Sequence, residues 1–412
     1  MGAYLSAPVT DKDSHAGVGA DFVFGGCGMQ GWRKSMEDAE ILLPELSPDR
    51  RDTAMFAVFD GHGGTEVSKF CRKYMPGELQ KTRPFQEGQL GKGLVEVFHR
   101  MDEMVDDGSF GAELEALRLG REEPQAMSIS GTQAGGDDGE EVSSSGGAGS
   151  GGAGSGDASG DASQPAMAEP MDILKQFLAV RKQAMVSAAD GDGGDGNRRP
   201  NPLMAAEGLC SLPDHRIAAG CTAVVCVKRG DKLVVANAGD SRAVLCRAGK
   251  AVPLSFDHKP NQEREVTRIR KAGGFVREAN GHHRVNGNLN LSRAIGDLKY
   301  KGDKNIGRAE QIITAEPDII EETIGPSDKF VVLACDGVWD VMSNQEVCDF
   351  VSAKLATALC SAKGKAERSE VAKRICEELV DTCLADDPRQ TQGIGGDNMS
   401  AILVLLGDQA GA

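Results

Sequence analysis

Asp60 follows a short apolar run, and the residues around it could bind a metal ion. The run Met55–Phe59 is rich in strand-forming side chains and too short for a helix. Gly61 has no Cβ, so its carbonyl could approach a ligand closely, and His62 comes next. Carboxylate, carbonyl and water oxygens are the ligands that Mg²⁺ and Mn²⁺ prefer. A turn with a solvated aspartate and histidine would explain the same residues without an ion.

Three more acidic residues stand at the ends of predicted strands. Asp336 follows the apolar run FVVLAC, and Asp240 follows KLVVANAG, where we expect it in a hairpin turn before the next strand. Asp397 comes just before a final run in which apolar residues alternate. Unpaired charge at the rim of a core is costly, so stability alone explains none of these positions. A shared metal centre would explain all four carboxylates.

A charged segment upstream could complete such a centre. Arg33 offers a planar fork of donors that suits a phosphate group. Glu37 and Asp38 supply two further carboxylates that could hold metal-bound water. Taken alone, the segment is a solvated charge cluster, and its meaning depends on its placement beside Asp60.

Two cysteine–arginine pairs suggest a different chemistry. Cys27 with Arg33, and Cys383 with Arg389, have the five-residue spacing of a thiol-based phosphatase loop. Neither pair has the glycine-rich anion nest that such a loop needs, and two aspartates interrupt the second. A thiol phosphatase therefore stands as an alternative that rests on spacing alone.

Composition restricts the classes of function. The 412 residues are 40% hydrophobic, enough for one large core or two small ones. A net charge of −16 argues against binding to nucleic acid, which requires a basic surface. The 11 cysteines include no CxxC pair, and the chain shows no signal peptide and no apolar run that could span a bilayer. We expect an intracellular protein with free thiols.

Periodicity divides the chain into a folded domain and an insert. Apolar residues recur at helical spacing after Gly64 and again near the C-terminus, while predicted strands cluster in antiparallel runs. The class is therefore α+β, with two sheets covered by pairs of helices. Residues 108–202 are low in complexity, and we expect them to be largely disordered. One domain over 19–107 and 203–407 remains, preceded by a tail over 1–18.

The N-terminal residues match a lipidation pattern. Met1-Gly2 with Ser6 fits N-myristoylation of Gly2, although this short pattern also arises by chance. A single acyl chain beside one basic residue, Lys12, would hold a membrane only weakly and reversibly.

Seven motifs in fixed order resemble the metal-dependent type 2C serine/threonine protein phosphatases, and among them most closely the gamma isoform. They are MEDAE with an upstream arginine, FDGHGG, GCTA, NAGDSR, LSRAIGDLKYK, LACDGVWDVM and GGDNMS. The resemblance covers about Gly19–Leu406 apart from the insert. It implies a central antiparallel β-sandwich of two sheets, flanked on both faces by pairs of antiparallel helices. The insert is shorter and richer in glycine and serine than the acidic tract of that isoform.

The resemblance assigns metal ligands. Asp60 would bridge two Mn²⁺ or Mg²⁺ ions, the carbonyl of Gly61 would bind one of them, and Asp336 with Asp397 would complete the other. Glu37 and Asp38 match residues that bind metal-coordinated water. A weaker third ion would involve Asp240, Asp336 and Asp340.

The resemblance also assigns the reaction. Arg33 matches the phosphate-binding arginine and His62 the general acid. A water bridging the two cations would lose a proton and attack the phosphorus directly, so no covalent enzyme intermediate is needed. We therefore expect a protein serine/threonine phosphatase acting on phosphoproteins as a monomer, in the cytoplasm and in the nucleus. A catalytically inactive scaffold is the remaining alternative, although every named acidic position is filled.

Overall fold

Two large antiparallel β-sheets face each other in the computed structural model of the chain. It describes residues 4–121, 217–279, 281–360, 362 and 364–407, all within one compact unit. The first sheet has the spatial order β1 (Val9–Val18), β2 (Phe22–Gly31), β16 (Met399–Leu406), β15 (Asp328–Ala334), β9 (Arg242–Arg247) and β10 (Lys250–Pro253). The second has the order β14 (Asp318–Thr323), β8 (Lys232–Ala238), β7 (Ala223–Arg229), β4 (Thr53–Phe59) and β3 (Ala39–Leu43).

Two small ladders accompany the large sheets. One has three short strands in the order β13 (Ile295–Gly296), β6 (Gly220–Cys221) and β5 (Gly61–His62). The other is a hairpin of β11 (Val276–Ala279) and β12 (His282–Val285). The three-stranded ladder continues directly from the end of β4, so it lies beside the residues that we expected to bind metal.

The core between the large sheets contains interlocked aromatic rings. Phe22 and Phe24 of β2 meet Phe56 of β4 edge to face, with ring centroids 5.7 and 5.2 Å apart. Along β4, Phe56 faces this inner core, whereas Met55 and Phe59 face the helices on the outer side. Burial on both faces explains why the sequence of β4 is a continuous apolar run rather than an alternating one.

Helices cover the outer faces of both sheets. On the five-stranded sheet lie α1 (Glu66–Lys81), α2 (Arg83–Gln86), α3 (Leu90–Asp106) and α4 (Gly111–Arg118). On the six-stranded sheet lie α6 (Asp336–Trp339), α7 (Asn344–Ala358) and α8 (Lys365–Cys383), while α5 (Glu263–Lys271) packs near the β11–β12 hairpin. Short 3₁₀ helices occur at Gly108–Phe110, Leu298–Tyr300 and Arg308–Glu310. The prediction of an α+β sandwich flanked by helices is confirmed.

Three local expectations differ from the structure. Val9–Val18 is not a tail but the edge strand β1, whose polar sequence is typical of an edge and hid its strand character. Gly111–Arg118, placed in the insert, is helical and packs on α1. Asp240 does not lie in a hairpin turn, because β8 and β9 belong to different sheets.

Other expectations lie outside the described residues. These are Gly2 and the Gly/Ser tract of the insert. None of the described helices is both long and apolar enough to cross a bilayer.

Candidate metal centre

Three aspartates converge where three strands end. Asp60 follows β4, Asp240 lies two residues beyond β8, and Asp336 lies two residues beyond β15. β4 and β8 both pair antiparallel with β7, so they run in the same direction and end at the same edge. One carboxylate oxygen from each aspartate lies within 4.8 Å of the other two. An oxygen-only cluster of this kind is what a hard divalent cation binds.

The electrostatics of this cluster show that its charges repel one another. Burial, followed by the neighbouring carboxylates, raises the pKa of Asp60 well above its usual value. Burial and the charge of Asp240 likewise raise the pKa of Asp336. A carboxylate whose pKa is raised by like charges is stabilised in its ionised form by a cation. The donor set therefore fits divalent metal ions.

Lys259 contacts this cluster. Its Nζ lies 2.5 Å from Oδ2 of Asp240, and Asp240 is only 2% exposed. Burial lowers the pKa of Lys259, but the charge and hydrogen bond of Asp240, together with the charges of Asp336 and Asp340, outweigh burial and raise it. One ammonium group offsets one carboxylate, so the charges of Asp60 and Asp336 remain uncompensated.

Arg33 and Asp397 form an ion pair beside the cluster. Nη2 of Arg33 lies 2.5 Å from Oδ2 of Asp397, and the backbone N–H of Asn398 donates to Oδ1 of Asp397 at 2.8 Å. Burial lowers the pKa of Arg33, but the charge and hydrogen bond of Asp397, together with the charges of Asp336 and Asp60, outweigh burial and raise it. The structure thus joins a predicted phosphate ligand to a predicted metal ligand. Asp397 is not part of the three-carboxylate group, although its charge contributes to the raised pKa values of Asp60 and Asp336.

Glu37 and Asp38 are anchored by the segment that follows Asp397. The side chain of Asn398 accepts the backbone N–H of Glu37 at 2.9 Å. Ser400 donates its hydroxyl to Oδ2 of Asp38 at 2.9 Å, while Oδ1 of Asp38 is buried without a protein partner. Burial raises the pKa of Asp38 to about 7. A buried acceptor without a donor is costly, so Oδ1 fits a bound ion or its water.

Gly61 is required by close backbone packing. A Cβ on Gly61 would lie 2.2 Å from the carbonyl oxygen of Glu37 and 3.0 Å from the hydroxyl of Ser68. The hydroxyl of Ser68 donates to that same carbonyl at 2.5 Å. The absent side chain lets the Glu37–Asp38 segment approach the end of β4.

His62 is bound to a residue to which the sequence analysis gave no role. Its Nε2 lies 2.6 Å from Oδ2 of Asp297, whose side chain is 1% exposed. Burial lowers the pKa of His62, but the charge and hydrogen bond of Asp297, together with nearby carboxylates, outweigh burial and raise it. Asp340, by contrast, lies at the exposed end of α6, where its backbone N–H donates to the carbonyl of Asp336 at 2.8 Å.

Comparison with known proteins identifies the family. The sequence profile described as Protein phosphatase 2C matches residues 22–122 and 200–390. The chain belongs to the protein phosphatase 2C family. It is therefore a metal-dependent protein serine/threonine phosphatase.

Relatives match the chain over nearly its whole length. Probable protein phosphatase 2C 11 of Oryza sativa is 36% identical over 98% of this chain and 90% of its own length. Protein phosphatase 1G of Bos taurus is 33% identical over 98% of this chain and 93% of its own length. A solved phosphatase structure from Toxoplasma gondii has the same fold, with a TM-score of 0.55, 21% identity, and coverage of 97% of this chain and 96% of that one.

The thiol alternative does not fit a type 2C phosphatase or this structure. Cys27 is fully buried in β2, and burial raises its pKa to about 12. Cys383 is buried at the end of α8, and burial raises its pKa to about 12 as well. A nucleophilic cysteine needs the opposite shift and an accessible sulfur. Both thiols are therefore structural.

The sequence analysis missed residues that reach the centre from distant segments. Lys259 and Asp297 are 19 and 235 positions from the residues they bind, and Asn398 lies 361 positions from Glu37. Asp297 lies within the quoted motif LSRAIGDLKYK, and Asn398 lies within GGDNMS, so the motifs contained a signal. Lys259 stands outside every quoted motif.

Proposed function

We propose that Asp60, the carbonyl of Gly61, Asp336 and Asp397 hold two Mn²⁺ or Mg²⁺ ions. The observation that supports this proposal best is the group of carboxylate oxygens within 4.8 Å of one another. Asp240 also belongs to that group. Its carboxylate would therefore act at the main pair of ions, and not only at the weaker third ion that it would share with Asp336 and Asp340. Glu37 and Asp38 would hold coordinated water, consistent with the unpartnered oxygen of Asp38.

The bound ions would lower the pKa of water in the site and neutralise charge on the phosphoryl oxygens. Arg33 would orient the phosphate group. Its guanidinium has five N–H donors, and one nitrogen contacts Asp397 while the side chain remains 46% exposed. The pairing with Asp397 holds the guanidinium beside the carboxylate cluster, where a phosphate group would bind.

His62 would act as the general acid. As water attacks phosphorus, the bond between phosphorus and the seryl or threonyl oxygen breaks, and its electron pair moves to that oxygen. An alkoxide is a poor leaving group, so a proton from His62 would neutralise it as it departs. His62 immediately follows Gly61, and its side chain is 26% exposed, which allows contact with a substrate.

The substrates would be phosphoproteins carrying phosphoserine or phosphothreonine, and nucleic acid is not an expected partner of a chain with a net charge of −16. We propose that one catalytic domain forms from the two segments on either side of the insert. The profile match, which is interrupted between residues 122 and 200, supports this division. We expect the enzyme to act as a monomer.

We also propose myristoylation of Gly2 and weak, reversible membrane contact. The backbone N–H of Leu5 donates to the carbonyl of Trp32 at 3.0 Å, which places this segment next to Arg33. The cysteines among the described residues are free thiols, which supports a reducing compartment, cytoplasmic and nuclear.

A phosphatase assay tests these assignments. The purified protein should release phosphate from a phosphoserine peptide with Mn²⁺ and lose that activity after exhaustive chelation. Adding Mn²⁺ back should restore the activity. Full activity in chelator would contradict the metal assignment. A protein without activity under any metal condition would favour the alternative of a catalytically inactive scaffold.

The role of His62 needs two substrates. His62→Gln should lower kcat by roughly 10²-fold on a phosphoserine peptide, the usual size of a general-acid contribution. The loss on p-nitrophenyl phosphate should be distinctly smaller, because nitrophenolate leaves without a proton. Equal losses at saturating Mn²⁺ would show that His62 only orders the turn around the metals.

A further inference from the structure

Asp297 and His62 meet across the central strand of the three-stranded ladder. His62 of β5 lies directly opposite Gly220 of β6, and Gly296 of β13 lies opposite Gly220 on the other side. Asp297 follows β13, so the bond of 2.6 Å between His62 and Asp297 spans β6. Two residues 235 positions apart are thus brought into direct contact by one backbone ladder.

Gly220 leaves the space that this contact needs. A Cβ on Gly220 would lie 2.4 Å from Oδ2 of Asp297 and 2.8 Å from Nε2 of His62. Both atoms of the hydrogen bond would therefore have to move if any side chain were present. The missing Cβ keeps the path between the two side chains open.

Asp297 is held in an unusual backbone conformation. Its φ of 51° and ψ of 35° lie in the left-handed region, which few residues other than glycine, asparagine and aspartate adopt. The backbone N–H of Asp297 donates to the carbonyl of Ala219 at 3.0 Å. Just before it, the N–H of Gly296 donates to Asp102 of α3 at 2.8 Å, and Asp102 is paired with Lys301 at 2.6 Å. The surrounding bonds thus fix the carboxylate under His62.

We propose that Asp297 is the positioning residue for His62, fixing the imidazole ring so that Nδ1 faces the departing oxygen of the substrate. Asp297 accepts the hydrogen on Nε2, which leaves Nδ1 as the nitrogen that can transfer a proton. Asp297 itself neither touches the substrate nor gains a proton. The proposal rests on the general-acid role of His62 for its catalytic consequence, but the fixed orientation of the ring can be measured separately.

Asp297→Asn is the main test, because asparagine tolerates the left-handed conformation and keeps the size of the side chain. An amide can hold the ring in the wrong tautomer, so kcat on a phosphoserine peptide should fall roughly 10²-fold, with a smaller loss on p-nitrophenyl phosphate. KM should change little. Asp303→Asn, an exposed aspartate in the following loop, is the matched control and should leave both rates within about twofold of the wild type.

The double variant separates positioning from a structural role. His62→Gln combined with Asp297→Asn should be no slower than His62→Gln alone, because the two residues act as one unit. Gly220→Ala should reproduce the selective loss of Asp297→Asn, whereas Gly307→Ala, where nothing lies within 4 Å of the new Cβ, should not. Equal losses of Asp297→Asn on both substrates, adding fully to those of His62→Gln, would overturn the proposal.

Nitrogen NMR of ¹⁵N-histidine-labelled protein tests the orientation without catalysis. The wild type should show His62 with its Nε2 proton in a strong hydrogen bond, and Asp297→Asn should remove that signature. A spectrum unchanged by Asp297→Asn would overturn the proposal. A changed spectrum, with equal losses of His62→Gln on both substrates, would support positioning by Asp297 and refute the general-acid role.

Discussion

Two clusters of buried acidic residues in this molecule have opposite electrostatics. At the strand ends, the pKa values of Asp60 and Asp336 are raised, because burial and like charges disfavour ionisation. At α5, burial alone would raise the pKa of Glu265, but Arg293 and Arg268 outweigh it and lower that pKa to about 2. Both clusters consist of carboxylates, and the neighbouring charges decide whether the pKa is raised or lowered.

The α5 cluster contains its own cations. Oxygens of Glu265 lie 2.7 Å from Nη2 of Arg268 and 2.7 Å from Nη2 of Arg293, and the hydroxyl of Ser292 donates at 2.8 Å. Arg293 also contacts Asp318 at 3.0 Å. This network binds α5 to the segment that leads into β13 and β14. Its carboxylates need no ion, so it stabilises the fold.

The cations described around the strand-end cluster neutralise only part of its charge. Lys259 pairs with Asp240, and Arg33 pairs with Asp397, which leaves Asp60 and Asp336 without a basic partner among the contacts described. We infer that this end of the molecule maintains repulsion that divalent ions relieve. The comparison shows that a buried acidic cluster is a candidate metal site when the fold does not neutralise it.

The largest expected effect is a loss of turnover when a residue of the strand-end cluster is substituted. Asp336→Asn removes the charge of a proposed metal ligand, which would be worth several kcal/mol in the transition state, so turnover should fall by about 10³-fold or more. Unfolding of the metal-free variant should need as much denaturant as the wild type or more, because repulsion is relieved. Asp60→Asn and Asp397→Asn should behave alike in steady-state assays. Retained turnover in Asp336→Asn would remove this residue from the metal centre.

The second effect is a loss of folding stability when a residue of the α5 cluster is substituted. Glu265→Gln leaves Arg268 and Arg293 buried without a counter-charge, so the free energy of unfolding should fall by about 3 kcal/mol. Denaturant melting of the metal-free protein measures this loss. At a temperature where the variant is folded, its turnover with Mn²⁺ should be close to the wild-type value. A variant as stable as the wild type would show that the α5 network is energetically neutral.

The third effect is the pH dependence of the free energy of unfolding. Glu265 has a lowered folded pKa, so its contribution is complete above the unfolded value of about 4.3 and is lost as the pH falls towards about 2. Asp38 has a raised folded pKa of about 7, so the folded state binds the extra proton and stability falls as the pH rises from about 4 to 7.

In chelator, the free energy of unfolding should therefore decrease by about 1–2 kcal/mol between pH 5 and pH 7. Saturating Mn²⁺ should make this decrease smaller. The Asp38→Asn substitution should also make it smaller, even in the metal-free protein. Denaturant melts across this pH range make the comparison. A metal-free protein that grows more stable from pH 5 to pH 7 would contradict the assigned repulsion.

The smallest effect concerns the thiols. Cys27→Ser and Cys383→Ser should leave kcat within about twofold of the wild type, because both sulfurs are buried in a hydrophobic core cluster. Assays on a phosphoserine peptide with Mn²⁺ are sufficient. A folded but inactive Cys27→Ser protein would reopen the thiol mechanism.

Local patterns predicted the parts of the molecule that depend on local structure. Asp60 and Asp336 were found because an apolar strand and the turn after it are adjacent in sequence. β1 was missed because an edge strand does not need an apolar face. Asp240 lies in the connection between β8 and β9, which belong to different sheets. A turn pattern could not predict this, because strand pairing is a property of the whole fold.

Long-range contacts were beyond such patterns. The pairing of His62 with Asp297 and of Asp240 with Lys259 depends on how separate strands and loops come together. Resemblance to the family supplied the roles of Arg33 and His62, but it did not indicate that Arg33 would pair with Asp397.

Calorimetric titration of metal-free protein with Mn²⁺ tests the central claim most directly. The account predicts two ions bound by the wild type and by Glu265→Gln, because the α5 network takes no part in metal binding. Asp336→Asn should lose one ion or bind it at least about 10-fold more weakly, since a ligand charge is gone. Equal stoichiometry and affinity in the wild type and Asp336→Asn would contradict the account.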